Sequence, residues 1–322
     1  MKAIVYQKYG SPEVLQIREI KKPVPKENEV LIKVRATTVT RYDCWARSCK
    51  AHTGLEFLMR IWFGIKKPRQ PVLGTELAGD IASTGKNVKR LKSGDPVFAY
   101  SAMTLGAYAE YISLPERVVV EKPRNLNYIE AASVLQGGLT AHYFLRLAKI
   151  RKGQKILIIG ASGGVGMYAV QLAKHYFNAE VTGICSTSKK DMVKALGAYR
   201  VIDYIKEDYR KEDILYDIIF DTFGMSSFSS SKVLKKNGSF LFATYGLRQV
   251  IHILWLNIAT SKKAISPILK ESTEDIILIK SLIDEGKIKP VIDKVFSMKE
   301  VVEAHRYFED GKKTGHVVIA ME

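Results

Sequence analysis

A glycine-rich turn between a predicted strand and a predicted helix constrains the fold of this chain more than any other feature. Residues 160–166 read Gly-Ala-Ser-Gly-Gly-Val-Gly, after an apolar run at 155–159 that predicts a buried strand and before a helical pattern at 167–177. In this context Gly163 lets the backbone approach a pyrophosphate, and Gly166 lets the helix pack closely on the strand. The turn therefore predicts dinucleotide binding at a helix N-terminus. The alternative is an ordinary glycine-rich connection from strand to helix.

Strand and helix patterns alternate on both sides of this turn. The predicted helices are 128–150 (one helix or two), 167–177, 189–196 and a segment around 227–235. The predicted strands between them are 155–159, 180–184, 200–202, 217–221 and 238–244. This alternation predicts an α/β fold with a doubly wound parallel sheet covered by helices on both faces. A helix at 273–285, a strand near 293–296, a helix at 301–310 and a strand at 316–320 follow.

The first 125 residues or so read differently, as short strands separated by Gly- and Pro-containing turns. The strand patterns are 2–6, 30–38, 79–84, 96–100 and 107–113. They predict a compact, barrel-like β domain. A length of 322 residues also favours two domains over one.

Charge and cysteine content restrict the partners and the compartment. The chain has 50 Lys and Arg against 33 Asp and Glu, a net charge of +17 spread over short runs, which favours a basic solvated surface over a nucleic-acid site. Three cysteines without disulfide-type spacing indicate a reducing, cytoplasmic location. The apolar stretches at 55–65 and 250–259 are shorter than the ~20 residues of a spanning helix, so no membrane partner is expected.

The tip of the second predicted strand indicates which dinucleotide binds. NAD-binding proteins place a carboxylate there for the ribose 2′-hydroxyl. Here the tip carries Ser186, Thr187, Lys189 and Lys190, whose hydroxyl and ammonium groups suit a 2′-phosphate. Tyr204, after the third strand, could close over the adenosine phosphate. NADP(H) is therefore predicted, with the alternative that Ser186 and Thr187 only cap the next helix.

Several motifs in their order along the chain resemble the medium-chain dehydrogenase/reductase superfamily, and in particular its zinc-free quinone-oxidoreductase (ζ-crystallin-like) members. They are MKAIVYQKYGSPEVL, VLGTELAGDIASTGKNVKRLKSGDPVFAY, GAYAEYISLP, AASVLQGGLTAHYFL, GASGGVGMYAVQLAK, LGAYRVIDY and HRYFEDGKKTGHVVI. The resemblance implies a GroES-like β-barrel catalytic domain from both chain ends (1–127 and 275–322) with a Rossmann NADP-binding domain (128–274) inserted. It also implies a homodimer.

The resemblance allows a test for zinc. Thr40 stands where zinc alcohol dehydrogenases have a ligand cysteine, and the histidine of their Gly-His-Glu motif is replaced by Thr75. The region of the third ligand, residues 135–138, offers Gln136 and glycines. Cys44, Cys49 and His52 lie within one short segment and are a poor substitute for these zinc ligands. No catalytic zinc is therefore expected.

The resemblance also assigns site residues. Thr40, Tyr42 and Asp43 are the predicted catalytic residues, on a loop lining the substrate, with Tyr42 either donating to a carbonyl oxygen or packing in the cleft wall. The predicted cofactor-binding residues are Thr140, Ala161, Ser162, Gly163, Gly164, Val165, Gly166, Ser186, Thr187, Lys189, Lys190, Tyr204, Phe223, Gly224, Tyr245 and Gly246. Of these, Thr140, Phe223, Gly224, Tyr245 and Gly246 rest on the resemblance alone.

Without a metal, hydride transfer favours acceptors that stabilise their own developing charge, namely quinones and α,β-unsaturated carbonyl compounds. The alternatives are a zinc-free NADP alcohol dehydrogenase and a non-catalytic NADPH-responsive sensor or RNA-binding protein. Residues 55–65 and 250–259 are predicted to form an apolar lid or entrance for a small hydrophobic substrate. A dimer interface or plain core is the alternative for either segment.

Overall fold

A computed structural model describes residues 1–50, 56–101, 104–244, 246–270 and 272–321. The chain divides into two compact units. The β-rich unit contains Met1–Gln136, Glu271–Asp284 and Lys289–Glu322, and the parallel-sheet unit contains Gly137–Lys270 and Glu285–Ile288. The domain boundaries at 127 and 274 stay a prediction, because compactness alone does not fix where a folding domain begins.

The β-rich unit is built on an extended sheet and a separate strand pair. Its strands are β1 Lys2–Val5, β2 Gln16–Glu19, β3 Glu29–Val39, β4 Glu76–Thr84, β5 Pro96–Tyr100, β6 Tyr111–Pro115, β7 Val119–Glu121, β14 Ile292–Ser297 and β15 His316–Ala320. Its helices are α1 Arg41–Ser48, α2 Glu56–Phe63, α3 Tyr128–Ala131, α8 Thr273–Asp284 and α9 Val301–Glu309. The sheet order is β14-β15-β3-β4-β5-β7, with β6 also paired to β3, and β1 pairs with β2. Since β15 pairs antiparallel with β3, the C-terminal strand returns to this unit, as the resemblance implies.

Two sequence expectations in this unit are wrong. The segment after Val39 is not a loop, because Arg41–Ser48 is helical. The strand expected at 107–113 begins only at Tyr111, and Ala109 before it makes a single bridge to Ala3. The N–H of Tyr108 donates to the Leu73 carbonyl at 2.9 Å and that of Glu110 to the Lys2 carbonyl at 3.0 Å, so residues 107–110 pair with two different segments and the regular ladder to β3 starts at Tyr111.

The parallel-sheet unit alternates strands and helices. Its strands are β8 Lys155–Ile159, β9 Glu180–Cys185, β10 Arg200–Asp203, β11 Tyr216–Asp221, β12 Leu234–Phe242 and β13 Lys263–Ile265. Its helices are α4 Leu135–Leu147 (which begins with the last two residues of the first segment of the β-rich unit), α5 Gly164–Gln171 (continued by a π-helical turn to Tyr176), α6 Lys190–Ala195 and α7 Leu247–Ala259. All strand pairs are parallel, in the order β10-β9-β8-β11-β12-β13. This is the doubly wound order of dinucleotide-binding sheets, and it confirms the predicted fold class.

The helix expected around 227–235 is wrong. Phe228–Val233 forms a short 3-10 turn, and β12 begins at Leu234. Serine hydroxyls bond locally here, Ser227 Oγ to Ser229 Oγ at 2.7 Å and Tyr209 to Ser230 Oγ at 2.6 Å. Such bonds compete with a regular helix.

Each unit has its own apolar core. In the β-rich unit Ile32, Leu77, Val119 and Val317 are among the buried side chains. In the parallel-sheet unit the buried side chains Leu157, Ile184, Ile219, Phe240 and Leu256 belong to one cluster. The core strands of this sheet are apolar runs because both faces are covered. Within the described residues, no helix combines the length and apolarity needed to cross a membrane.

Candidate functional site

The glycine turn lies at the carboxyl end of β8 and opens α5. Gly160 has φ +80°, and Gly163 occupies the N-cap position with extended backbone. A Cβ atom on Gly166 would lie 2.1 Å from the Gly160 carbonyl oxygen, so only glycine allows this approach of helix to strand. The start of α5 thus lies at a turn in which Gly160, Gly163, Gly164 and Gly166 carry no side chain, the kind of turn that lets backbone N–H groups approach a pyrophosphate.

Of the other residues in the turn, one is buried in the core and three are partly exposed. Ala161 is fully buried, and its N–H donates to the Ile184 carbonyl at 3.0 Å, which ties the turn to β9. Ser162, Gly164 and Val165 are partly exposed. A ligand can therefore contact these three residues, while Ala161 acts as an anchor.

The predicted 2′-phosphate turn follows β9 directly. Ser186 stands at the N-cap of a 3-10 turn over Thr187–Lys189 and makes no capping hydrogen bond with its side chain. The Thr187 hydroxyl donates to Asp203 Oδ2 at 2.5 Å and is already used. The Ser186 side chain therefore does not cap this turn, while Lys189 and Lys190 are half-buried. Their contact with a 2′-phosphate stays a prediction.

Asp203, at the end of β10, was not among the predicted site residues. Its side chain is buried, and it also accepts from the Ile205 N–H at 3.1 Å. The hydrogen bond from Thr187 lowers the pKa of this carboxyl group. The next residue, Tyr204, is half-exposed, and its N–H donates to the Cys185 carbonyl at 3.2 Å. The structure thereby brings Tyr204 beside the tip of β9.

A second group of predicted residues lies at the ends of β11 and β12. The Gln249 side chain joins two of them, because its Nε2 donates to the Gly224 carbonyl at 2.9 Å and its Oε1 accepts from the Gly246 N–H at 3.1 Å. Phe223 is 41% exposed beside them. Tyr245, predicted with Gly246, lies outside the described residues.

The Asp221 carboxylate organises the turn that carries Phe223 and Gly224. It was not among the predicted site residues. The carboxylate is fully buried and accepts from the N–H groups of Phe223 (3.0 Å), Gly224 (2.7 Å) and Ser226 (2.8 Å). An acid at a strand end followed by a glycine is the signal that could have found it, since such a side chain often organises the turn after it.

Thr140 lies on α4, one helical turn after Gly137. The helix packs against the glycine turn at that point, because a Cβ atom on Gly137 would lie 2.5 Å from the Gly164 carbonyl oxygen. Thr140 is partly buried and has partners within the protein. The structure thus places it near the start of α5.

The predicted catalytic residues Thr40 and Asp43 form a capping box at the start of α1. Asp43 Oδ2 accepts from the Thr40 N–H (2.9 Å) and from Thr40 Oγ1 (2.5 Å), and Asp43 Oδ1 accepts from the Gly74 N–H (2.8 Å). Asp43 is completely buried, and desolvation raises its pKa to about 6 against these hydrogen bonds. This carboxyl group holds α1 and Gly74 in place.

Tyr42 is the predicted phenol. Its hydroxyl is buried and makes no hydrogen bond of ordinary geometry within the described part of the chain. Burial raises the pKa of this phenol, and the neighbouring Trp62 side chain opposes the rise. The Phe63 ring packs on the Tyr42 ring, with 5.5 Å between centroids. Residues of α2 therefore cover Tyr42.

Glu76 is a buried carboxyl group that was not assigned a role. Its Oε1 accepts from Thr38 Oγ1 at 2.6 Å and its Oε2 from the Gln136 N–H at 2.8 Å. The pKa of Glu76 is raised to about 7. Desolvation by burial is the largest cause, and the nearby Asp43 carboxyl group adds to it. Two buried acids, Asp43 and Glu76, therefore disfavour each other's ionised form.

The side chains at the expected ligand positions do not fit zinc. Thr40 is engaged by Asp43, Thr75 presents a buried hydroxyl, and the third region offers the amide of Gln136. Catalytic zinc takes three protein ligands drawn mostly from thiolate, imidazole and carboxylate groups. Cys44 Sγ lies 3.7 Å from His305 Nδ1 in the core, whereas His52 is outside the described residues. Across the residues described, no group of three or more His, Cys, Asp and Glu could hold a metal ion.

Both predicted lid segments contain helices with large exposed apolar side chains. In α2 none of the residues is buried, and Phe57 is 75% exposed. In α7 only His252 and Leu256 are buried, and Ile258 is 81% exposed. Residue 55, the start of the first predicted segment, lies outside the described residues.

Two family models match the chain. The alcohol dehydrogenase GroES-like domain matches residues 26–124, which confirms the predicted GroES-like domain. A model described as zinc-binding dehydrogenase matches residues 196–319.

Curated relatives and solved structures match over nearly the whole chain. The quinone-oxidoreductase QR1 of Triphysaria versicolor is 34% identical over 99% of this chain and 98% of its own length. The NADPH-dependent alkenal/one oxidoreductase of Arabidopsis thaliana is 31% identical over 99% of this chain and 79% of its own. A quinone oxidoreductase from Coxiella burnetii superposes with TM-score 0.88 and 26% identity over 100% and 99% of the two chains. The Escherichia coli quinone oxidoreductase complexed with NADPH gives TM-score 0.84 and 26% identity over 99% and 100%.

Proposed function

The chain belongs to the medium-chain dehydrogenase/reductase superfamily, and on that premise we propose that it is a zinc-independent, NADPH-dependent oxidoreductase that reduces quinones or α,β-unsaturated carbonyl compounds. The observation that carries the proposal is the glycine turn at Gly160–Gly166, followed at the next strand tip by Ser186 and two lysines. The names of the quinone and alkenal/one reductases that match the chain over nearly its whole length support it.

The parallel-sheet unit holds the cofactor in this proposal. The N–H groups at the start of α5 bind the pyrophosphate, and Ser186, Lys189, Lys190 and Tyr204 surround the 2′-phosphate. Asp203 orients Thr187, and each of its oxygens accepts a hydrogen bond within the protein, from Thr187 Oγ1 and from the Ile205 N–H. Phe223, Gly224 and Gly246 form the nicotinamide side. When bound, NADPH supplies the hydride.

In the β-rich unit the proposed donor to the substrate oxygen is the Tyr42 hydroxyl. The Trp62 indole N–H can only donate to this hydroxyl, so the phenol proton itself has no acceptor among the described residues, and a substrate carbonyl would accept it. Since burial raises its pKa, the phenol keeps its proton at neutral pH and can donate. Thr40 and Asp43 are positioning residues, because they fix the start of the helix that carries Tyr42.

Access to Tyr42 requires that α2 moves. Phe63 packs on the phenol and Trp62 lies beside the hydroxyl, so the segment around α2 acts as the lid over this residue. Movement of α2 would open Tyr42 to a hydrophobic substrate, and its return would cover the bound substrate. Residues 250–259 stay a predicted lid or entrance.

The acceptor class follows from the chemistry of the donors. Hydrogen-bond donors alone stabilise an alkoxide poorly compared with a metal, whereas an enolate or a hydroquinone spreads its charge over several atoms. Activated alkenes and quinones are therefore the proposed substrates. A cytoplasmic location and a homodimer are proposed with it, supported by three free buried cysteines and by the family resemblance respectively.

The test is cofactor oxidation by purified, chelator-treated protein with NADPH or NADH, against quinones, 2-alkenals and simple alcohols. We expect turnover of quinones or alkenals with NADPH preferred. Tyr42→Phe should lower kcat by about 10²-fold, in the range for loss of a positioned proton donor. Tyr111→Phe, another phenol of the same unit, is the matched control and should be unaffected. Oxidation of alcohols in preference to these acceptors, or no turnover despite NADPH binding, would contradict the proposal.

A further inference from the structure

A cavity of about 200 Å³ lies at the amino end of the parallel sheet, within the parallel-sheet unit. It is bordered by the segment between α4 and β8, by the start of β11 and by the first residues of β12. The glycine turn follows the carboxyl end of β8, whose five residues span about 16 Å at about 3.3 Å per residue. The cavity and the glycine turn therefore lie at opposite ends of the same strand. It is called the amino-end cavity below.

Four cations line the amino-end cavity: Lys149, Arg151, Lys235 and Lys236. Asp217 is the only acid that lines it in the described part of the chain. Both Asp217 oxygens are used, because Oδ1 accepts from Lys235 Nζ and Oδ2 from the Lys155 N–H, each at 2.9 Å. The side chains of the other three cations make no ion pair or hydrogen bond with a described residue. Three positive charges therefore border one cavity without a counter-charge.

This excess of cations arises from two segments of the chain that contain no acid. Residues 131–179 contain six lysines and arginines and residues 222–270 contain seven, and neither segment has an aspartate or glutamate. The sheet brings the two segments to one place, because β8 and β12 are both neighbours of β11. Glu180, which directly follows the first segment, lies 3.9 Å from Lys155 Nζ. A concave surface with charges of one sign concentrates ions of the opposite sign.

We propose that the amino-end cavity binds a phosphate group, either free or at the end of a small phosphorylated molecule. A phosphate monoester carries close to two negative charges at neutral pH and has three strong acceptor oxygens. The Arg151 guanidinium can donate two parallel hydrogen bonds to such a group, and the lysines add charge. Gln154 Oε1 accepts from the Arg151 N–H at 2.8 Å, which leaves the amide N–H groups of Gln154 as further donors. The half-buried Ser239 also lines the cavity with its hydroxyl residue type.

The volume and the arrangement of the charges limit the ligand. A volume of about 200 Å³ is below the roughly 300–1,000 Å³ of pockets that enclose drug-sized ligands, so a dinucleotide does not fit. A nucleic-acid strand is held along an extended cationic groove that follows its backbone. Here the unpaired cations converge on one small cavity. A single terminal phosphate fits both the size and the charge.

The proposal is independent of the proposed enzymatic activity. None of the residues that line the amino-end cavity belongs to the predicted cofactor-binding or catalytic residues. The predicted 2′-phosphate turn at Ser186 is a second place where a free phosphate would bind. The test therefore includes samples in which NADPH occupies that turn.

The experiment is equilibrium dialysis of the full-length protein, with and without saturating NADPH, against radiolabelled inorganic phosphate. We expect saturable binding that persists with NADPH and that unlabelled glycerol phosphate displaces, whereas glycerol has no effect. Tighter binding of glycerol phosphate than of phosphate supports a phosphorylated small molecule as the ligand, and weaker binding supports free phosphate. If the cofactor does not bind, the comparison of variants in the samples without NADPH still tests the cavity.

The triple variant Lys149→Gln/Arg151→Gln/Lys236→Gln should bind phosphate at least about tenfold more weakly, because it loses the charge-assisted hydrogen bonds. The matched control is Lys174→Gln/Lys211→Gln/Lys232→Gln, which removes the same charge at exposed positions of the same unit outside the cavity. This control should bind phosphate as the wild type does. Thermal unfolding checks that each variant is folded.

Asp217→Asn should change binding in the opposite direction. The amide keeps an oxygen for the Lys155 N–H and removes the negative charge beside the cavity, so phosphate should bind about threefold more tightly or better. No saturable binding by the wild type, or equal binding by the two triple variants, would overturn the proposal. So would an RNA oligonucleotide that binds through the three cavity cations when phosphate and glycerol phosphate do not.

Discussion

Ser186 and Thr187 are neighbouring hydroxyl residues with different surroundings. Thr187 bonds to Asp203, whereas Ser186 makes no capping bond. The sequence places both at the tip of the second strand, but it cannot show that Asp203, which lies on another strand, uses one of them. A local sequence pattern cannot identify hydrogen-bond partners from a distant part of the chain. The hydrogen bond from Thr38 to Glu76 is a second example.

The role of Ser186 in cofactor choice can be tested with a carboxylate. Ser186→Asp should raise KM for NADPH at least about tenfold, because a carboxylate repels the 2′-phosphate and accepts from a 2′-hydroxyl. Turnover with NADH should fall less or improve. Ser188→Asp, two residues along at an exposed position, is the control. An unchanged ratio of NADPH to NADH in Ser186→Asp would show that this residue does not contact the ribose.

Glu76 makes stability depend on pH. Its folded pKa is raised from 4.5 to about 7, so the folded protein holds this proton more tightly than the unfolded chain does. Between these pH values the free energy of unfolding should fall as pH rises, by up to about 3 kcal/mol. Buried His305 and His316, whose pKa values burial lowers to about 3, act in the opposite direction, because they gain a proton on unfolding.

The contribution of Glu76 is isolated by comparing the wild type with Glu76→Gln in urea unfolding across this range. The amide keeps an oxygen for the Gln136 N–H and cannot titrate. The free energy of the wild type should therefore fall relative to that of the variant between pH 4.5 and pH 7. Glu121→Gln, an exposed acid of the same unit, should follow the wild type. Parallel curves for the wild type and Glu76→Gln would show that Glu76 ionises normally.

At the scale of elements, periodic patterns predicted the strands and most helices of the parallel sheet well. Runs such as Lys155–Ile159 are buried on both faces, so the apolar pattern alone fixes them. Helix α1 was missed, although Thr40 and Asp43 show the capping-box spacing that starts a helix. The segment around 227–235 was misassigned because its serines bond locally. The short strand β13 carries no pattern long enough to detect.

Two residues of the glycine turn should separate binding from stability. In Gly166→Ala the new methyl would lie 2.1 Å from a backbone oxygen, so the helix must shift and the free energy of unfolding should fall by about 1–3 kcal/mol. In Gly163→Ala the nearest atom is 3.2 Å away and the φ value of −80° suits alanine, so stability should change little.

Both variants should bind NADPH more weakly in calorimetric titration, because in each a methyl group disturbs the glycine turn. Thermal unfolding of the same samples measures the stability difference. Wild-type affinity in Gly163→Ala would show that the pyrophosphate does not approach the backbone at this position.

At the scale of the whole molecule, the sequence predicted two chain ends in one unit and a nucleotide-type sheet between them. The pairing of β15 with β3 and the strand order of the parallel sheet agree with this. The net charge of +17 is distributed unevenly, since residues 222–270 carry seven of the cations and none of the acids. Sequence alone does not show that some of these cations meet those of residues 131–179 at one cavity, because the two segments come together only when the parallel sheet forms.

The central claim is hydride transfer to an activated alkene without a metal. It is tested most directly by incubating chelator-treated protein with NADPH deuterated at the nicotinamide C4 position and a 2-alkenal, then locating the label in the product by NMR. We predict deuterium on the carbon β to the carbonyl and a solvent-derived proton on the α carbon. Deuterium on the carbonyl carbon, the outcome for an alcohol dehydrogenase, would contradict the account, and so would no transfer from either C4 position together with no oxidation of NADPH by quinones.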